Sequence, residues 1–333
     1  MKKKEEVMRM RSATKPRTQA AQGARLNKKS IWKDKVSWSL LILCIPALAG
    51  YIIFNYVPMI PSLVIPFKDL KLSKGIFGSE WSGFKNFKWI FTSTVILETL
   101  RNTVLYGIWF LIVGPITNMI LALFLFEVTS RKALKFYQTV FTFPNFMSFV
   151  IVGYITYAIL APRNGVLNAI ITAFGGEPID VYMKPAWWPA ILTIVNVWKG
   201  IGMGSMMYFA SLMGIDTSLY EAAEIDGAGR FQKMRYISIP HLIPLVCIFS
   251  IMGMGSLVSG SFDLNYIIPR QSAPLYSTTQ NMATYIYAQL QLGTSREYVR
   301  GAAVGLVQSF ASLGLVVGSN AIIRKISPEN SLF

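Results

Sequence analysis

The chain has 333 residues, 53% of them hydrophobic and only 14% charged, with a formal net charge of +16. So apolar a composition exceeds what one water-soluble core of this length hides, which excludes an ordinary soluble enzyme or binding module and points to a membrane protein. The basic residues form no patch interleaved with exposed aromatics, so nucleic acid is excluded as the partner of that charge.

Residues 1–35 contain 12 lysines and arginines without apolar periodicity. This tail is expected to be disordered or to lie on an anionic inner leaflet, where each basic side chain contributes about 1 kcal/mol of attraction. The next stretch, 36–59, exceeds a signal-peptide core and reads as a retained first span. Further apolar stretches of about 20 residues or more, enough to cross a bilayer, follow at 104–126, 136–161, 187–213, 241–262 and 301–323. The expected fold is an all-α membrane protein of about six transmembrane helices, with one membrane domain over 36–333. The segments on the N-terminal side of the spans hold 20 lysines and arginines, those on the other side 11. The positive-inside rule therefore places both termini in the cytoplasm.

Pro58, Pro61 and Pro66 are expected to break the helix after the first span, because proline removes a donor and clashes with the preceding turn. Trp81 and Phe84 in the following loop read as interfacial anchors, as does Trp187-Trp188-Pro189 before the fourth span. Pro115 and Pro144-Asn145 are expected to kink the second and third spans. Cys44 and Cys247 both fall in spans and read as apolar fillers, without a disulfide framework or a zinc cluster. The single histidine, His241, has no serine or carboxylate constellation around it. No G-x-x-x-x-G-K-[ST] is present, so the chain has no phosphate-cradling loop of that kind.

The loop 214–240, between the fourth and fifth spans, is short and polar. Asp216-Thr217-Ser218 are helix-start residues, and Ser218-x-x-Glu221 fits a capping box. Gly227 and Gly229 permit a sharp turn, and Arg230, Lys233 and Arg235 favour the cytoplasmic side. A short amphipathic helix projecting there suits a groove on a partner. The run Glu221-Ala222-Ala223, followed by Gly227 and closed by Ile237-Ser238-Ile239-Pro240, resembles the EAA signature of permease subunits in binding-protein-dependent ABC importers. Ile239 stands where the pattern usually has leucine. The likeness extends from about Trp38 onwards, through Phe67-Lys68-Asp69, Gly83-Phe84-Lys85-Asn86-Phe87, Asn320, Arg324-Lys325, Glu329 and Leu332-Phe333, with Ser331 where glycine is expected. It is similar to oligosaccharide and aldouronate permeases of the LplB type and, more distantly, to maltose permease.

The resemblance implies a type I ABC importer permease fold in the bacterial cytoplasmic membrane, carrying an oligosaccharide, with an acidic, uronate-containing chain as one reading. It implies that Glu221, Ala222, Ala223, Asp226 and Gly227 form the core that docks on an ATPase. The implied partners are a second homologous permease, two ATP-binding subunits that hold ATP and magnesium, an extracytoplasmic binding lipoprotein and membrane lipid. The chain itself is expected to bind no cofactor or metal and to have no catalytic site. At the offsets where sugar-importing members contact substrate, this sequence has Trp198, Lys199, Gly200 and Met203, then Gly253, Ser256 and Gly260. Trp198 suits stacking on a sugar ring. Lys199 lies at mid-span, where an ionisable group costs several kcal/mol unless paired or hydrated. It reads either as a contact to an anionic sugar or as internally paired, with Glu98, Asp263, Glu297 or the carbonyls around Gly200-Ile201-Gly202. Gln289, Gln291 and Gln308 read as sugar contacts or interhelical bonds, and Tyr266, Tyr285, Tyr287 and Tyr298 as docking residues or interfacial anchors. The rival readings are an ion-coupled secondary transporter, which would need a coupling site and usually an internal repeat, and a non-transporting membrane scaffold.

Overall fold

The computed structural model describes residues 35–326. The basic tail, apart from Lys35, lies outside the described residues, as do Glu329, Ser331 and Leu332-Phe333. The chain divides into two compact units, Met1–Ile60 and Pro61–Phe333.

Helix α1 (Lys35–Tyr51) is followed by a π turn, Ile52–Tyr56, in which the Val57 N–H reaches back to the Ile52 carbonyl. The wide turn sits just before Pro58, where the ordinary ladder would lack a donor. The helix therefore resumes as α2 (Val57–Val64), with Pro58 and Pro61 inside it, and closes in a 3-10 turn at Ile65–Phe67 containing Pro66. The apolar span runs Leu41–Phe67. Two of the three expected breaks are thus absorbed.

Strand β1 (Lys68–Asp69) pairs antiparallel with β2 (Glu80–Trp81). The Asn86 amide, on α3 (Lys85–Thr92), donates to the Pro66 carbonyl at 2.9 Å and the Lys68 carbonyl at 3.0 Å. Phe67 stacks on Trp81 at 5.5 Å and meets Phe84 and Phe87 edge-on or tilted. The two loop motifs that resembled a known family thus meet in one knot.

Helix α4 (Thr94–Phe126) passes Pro115 without interruption. Thr117 Oγ1 donates to the carbonyls of Val113 at 2.8 Å and Gly114 at 3.0 Å, binding carbonyls in the turn beside the proline. Proline acts instead in the third span, where α5 (Arg131–Thr142) ends in a 3-10 turn at Phe143–Phe146. Helix α6 (Phe149–Leu160) leaves that break at 98°. After α7 (Val166–Ala173) comes α8 (Trp188–Leu212), then α9 (Thr217–Ile225). Helix α10 (Arg230–Lys233) continues through a π turn, Met234–Ser238, into α11 (Ile239–Met254). Helices α12 (Phe262–Ile267), α13 (Met282–Gln291) and α14 (Ser295–Ile326) complete the chain. Among the described residues five helices are long and apolar enough to cross a membrane, or six spans if the bent pair counts as one. The fifth span starts at Arg230 instead of near 241 and ends at Met254 instead of near 262.

Helix α8 is central, packing on α4, α5, the Phe143–Phe146 turn and α11, while α14 packs on α13, α3 and α11. One core, beside α9, gathers Leu123, Tyr208, Leu212 and Leu242. A second, at the opposite end of the bundle, gathers Val152, Trp188, Leu192, Leu264 and Ile268. Trp188, read from sequence as an interfacial anchor, is fully buried there and donates its indole N–H to the Val181 carbonyl at 3.0 Å. A third core lies between α3, the start of α4, α13 and α14.

Candidate functional site

The polar helix α9 begins two residues earlier than a Ser218 cap requires. Asp216 is its N-cap, accepting the Ser218 N–H at 3.0 Å, and these bonds hold the Asp216 carboxyl below the usual carboxylate range. Glu221 is therefore released from the capping box that its spacing suggested. It is exposed and makes no ion pair or side-chain hydrogen bond among the described residues. The helix ends in a Schellman motif: Ala228 N–H bonds the Ala223 carbonyl at 2.8 Å and Gly227 N–H the Glu224 carbonyl at 3.0 Å. Gly227 has φ +78°, which a Cβ would strain.

Internal ties hold this loop to the spans. Tyr220 packs its ring on Phe126 at 5.9 Å and shares a 2.9 Å hydrogen bond with Ser238 in the π turn. Lys233 pairs with Glu224 at 3.1 Å, and Arg230 approaches Glu127 at 4.0 Å. A push on α9 thus reaches the end of α4 and the start of α11 through packed groups, while Leu219, Ile225 and Phe231 stay exposed.

Between α4, α8, α11 and the segment 256–265 lies a cavity of about 560 Å³, within the range of small-ligand sites. Met203, Gly253, Ser256 and Gly260 of the sequence-derived set line it. Gly253 brings α4 close, since a Cβ there would stand 2.7 Å from a Leu111 methyl. Trp198 and Lys199 are not part of the lining: Trp198 lies on the far side of α8 from Asn196, Met203 and Met207, whereas Lys199, three residues from Asn196 and four from Met203, flanks that face and turns its ammonium to Asn145. Gly200 is not a lining residue either, although a Cβ there would meet only open space.

Lys199 has a structural partner. Its ammonium donates to the Asn145 carbonyl at 2.9 Å, in the broken third span, and lies 4.8 Å from the Phe149 ring centroid. The carbonyl belongs to that break and not to Gly200-Ile201-Gly202, and none of Glu98, Asp263 or Glu297 pairs with it; Glu297 meets Arg300 at 3.6 Å.

Residues the sequence reading missed dominate the cavity. Tyr106 and Tyr208 line it, yet their buried hydroxyls have no hydrogen-bond partner among the described residues. Asn118 and Asn196 line it without a side-chain hydrogen bond among the described residues, whereas Asn265 and Asn281 are engaged with Thr279 and Ser261 carbonyls at 2.8 and 2.9 Å. Uncharged amides inside apolar spans were the available signal. Of the other candidates, Gln308 keeps a buried oxygen without a partner among the described residues, away from this cavity, and Tyr285 is buried, which pushes its hydroxyl up to about 12. The cavity combines aromatic rings with orphan hydroxyls and amides, a lining suited to a polyhydroxylated ligand.

No family model matches the chain. LplB of Bacillus subtilis is 33% identical over 291 residues, spanning 87% of this chain and 90% of that protein. The chain belongs to the carbohydrate ABC importer permeases. The polygalacturonan/rhamnogalacturonan transport system permease YteP, also of Bacillus subtilis, is 32% identical over 296 residues, 87% of the permease and 89% of that protein. A crystal structure of a bacterial ABC transporter involved in import of the acidic polysaccharide alginate superposes with a TM-score of 0.80 at 29% identity, covering 90% of the permease and 99% of that chain. The permease is thus an integral membrane subunit, with no ATPase site of its own, and ATP hydrolysis falls to separate subunits.

Proposed function

We propose that the permease carries an acidic, uronate-containing oligosaccharide from an extracytoplasmic binding protein into the cytoplasm. In this reading it pairs with a second homologous permease and with two ATP-binding subunits that hold ATP and magnesium. Its termini and the loop 214–240 lie on the cytoplasmic side, with Glu221, Ala222, Ala223, Asp226 and Gly227 at the ATPase surface. The observation that carries the reading is the cavity of about 560 Å³ walled by α8 and α11, the two spans that the α9 loop joins. Closure of the ATPases would shift both spans and reshape the lining, giving alternating access. The acidic character draws support from YteP and from the alginate importer.

The test is uptake into proteoliposomes holding the complete importer and its loaded binding protein. Acidic oligosaccharides such as trigalacturonate should be taken up in an ATP-dependent way, and Asn196→Leu should lower uptake at least about tenfold by leaving sugar hydroxyls unpaired. Uptake of neutral sugars alone would refute the acidic substrate, and full activity in Asn196→Leu would remove the cavity from the pathway. Lys199→Met should lower uptake of acidic and neutral sugars alike, because its bond to Asn145 holds the helix break. A loss confined to acidic sugars would make Lys199 a substrate contact after all.

A further inference from the structure

A second cavity, of about 290 Å³, lies at the end of the bundle away from α9, between α6 and the segment after α12. Arg270 is the one charged residue in its lining, beside Tyr154, Tyr266 and Gln271. The Arg270 guanidinium lies 4.0 Å from the Tyr157 ring centroid and makes no ion pair among the described residues. One face of the cation is therefore covered, and its N–H edges are left for a partner.

The backbone there is unusual. Arg270 and Gln271 have φ of 56° and 52°, and among the described residues they are the only non-glycine residues with positive φ. Glycine would make the same turn without strain, and strained positions of this kind cluster at ligand sites. The strain holds a guanidinium and an amide side by side at the cavity. Tyr266 and Gln271 also line a smaller cavity of about 130 Å³, and Asn265 in that wall lines the central cavity too. The three cavities thus follow one another through shared residues.

We propose that the pocket at Arg270 is an outer subsite for a hexuronate residue, which the chain occupies before reaching the central cavity. Arg270 takes the carboxylate in its planar fork, Gln271 bonds ring hydroxyls, and Tyr154 or Tyr266 meets the apolar face of the sugar. This rests on the acidic-oligosaccharide reading above and adds where the charge is recognised.

The experiment uses the complete importer in proteoliposomes with labelled trigalacturonate and its fully methyl-esterified, uncharged form. Arg270 is exposed, so both Arg270→Gln and Arg270→Lys are expected to fold. Arg270→Gln should lower uptake of the free acid by about tenfold and leave the ester unchanged, while Arg270→Lys, which keeps the charge but loses the planar fork, should lose clearly less than Arg270→Gln. Equal losses for acid and ester, as expected if Arg270 docks the binding protein or only braces Tyr157, would overturn the subsite; so would unaltered uptake of the acid. If the wild type imports the acid but not the ester, the lysine variant decides, and a loss as deep as in Arg270→Gln counts against the proposal. A wild type that imports neither form sinks the acidic-oligosaccharide reading and the subsite with it.

Discussion

Glu221→Lys is expected to abolish import and the stimulation of ATP hydrolysis by loaded binding protein, with a loss on the order of a hundredfold or more, the range for reversing a charge at a docked interface. The structure separates this effect from helix stability. Asp216, not Ser218 with Glu221, caps α9, and Gly227 closes it in a left-handed conformation. Lysine is a good helix former, so the substituted helix should persist. Glu224 supplies the internal control. It lies three residues on and pairs with Lys233 at 3.1 Å on the exposed surface, so Glu224→Gln should cost little, within the roughly 0–1 kcal/mol of such pairs. Co-purification of the ATPase subunits and stimulated hydrolysis are the measurements. If both substitutions reduce them equally, Glu221 has no special place at the ATPase surface.

Gly202→Ala is expected to destabilise the protein by about 3 kcal/mol or more, in the upper range for overpacking against a rigid neighbour. A Cβ at 202 would overlap the backbone carbonyl of Phe141, where α5 runs into the break of the third span. Backbone yields less than a side chain, so α5 would have to move away from α8. That movement would also stretch the Lys199 bond to Asn145. Gly200→Ala, two residues away, meets open space and should be neutral or slightly stabilising, since alanine is the better helix former by up to about 1 kcal/mol. Thermal unfolding of the purified protein in detergent distinguishes the two, with a fall in Tm of roughly 5–10 °C expected for the first. Equal melting temperatures would mean that the α5 to α8 contact is looser than the geometry requires.

Several elements were legible in the residues alone. Long apolar runs separated by polar, proline-rich segments report the spans, because a bilayer demands length and hydrophobicity and little else. Six stretches correspond to five long helices and one bent pair. Errors came where proline was read locally. Pro58 follows a π turn, and the helix continues through it and through Pro61, as α4 does through Pro115. At Pro144 no such turn intervenes, and the span bends by 98°.

The site was half legible. Met203, Gly253, Ser256 and Gly260 line the cavity, whereas Trp198 and Lys199 do not, and Tyr106, Asn118, Asn196 and Tyr208 went unnoticed as its lining. Helices that are apolar on every side carry no stripe that marks an inward face, since lipid and protein neighbours are equally apolar. The loop 214–240, by contrast, sits in water and keeps the ordinary signals of caps, glycine and charge. By itself the sequence determined the class, the spans and the polar loop with Glu221 at its exposed helix, because those follow from local composition and from the motif. Only the tertiary structure decided that Lys199 stitches the broken span and that orphan hydroxyls face the cavity. Each of these depends on helical phase and on which distant backbone lies opposite, and no local pattern encodes either.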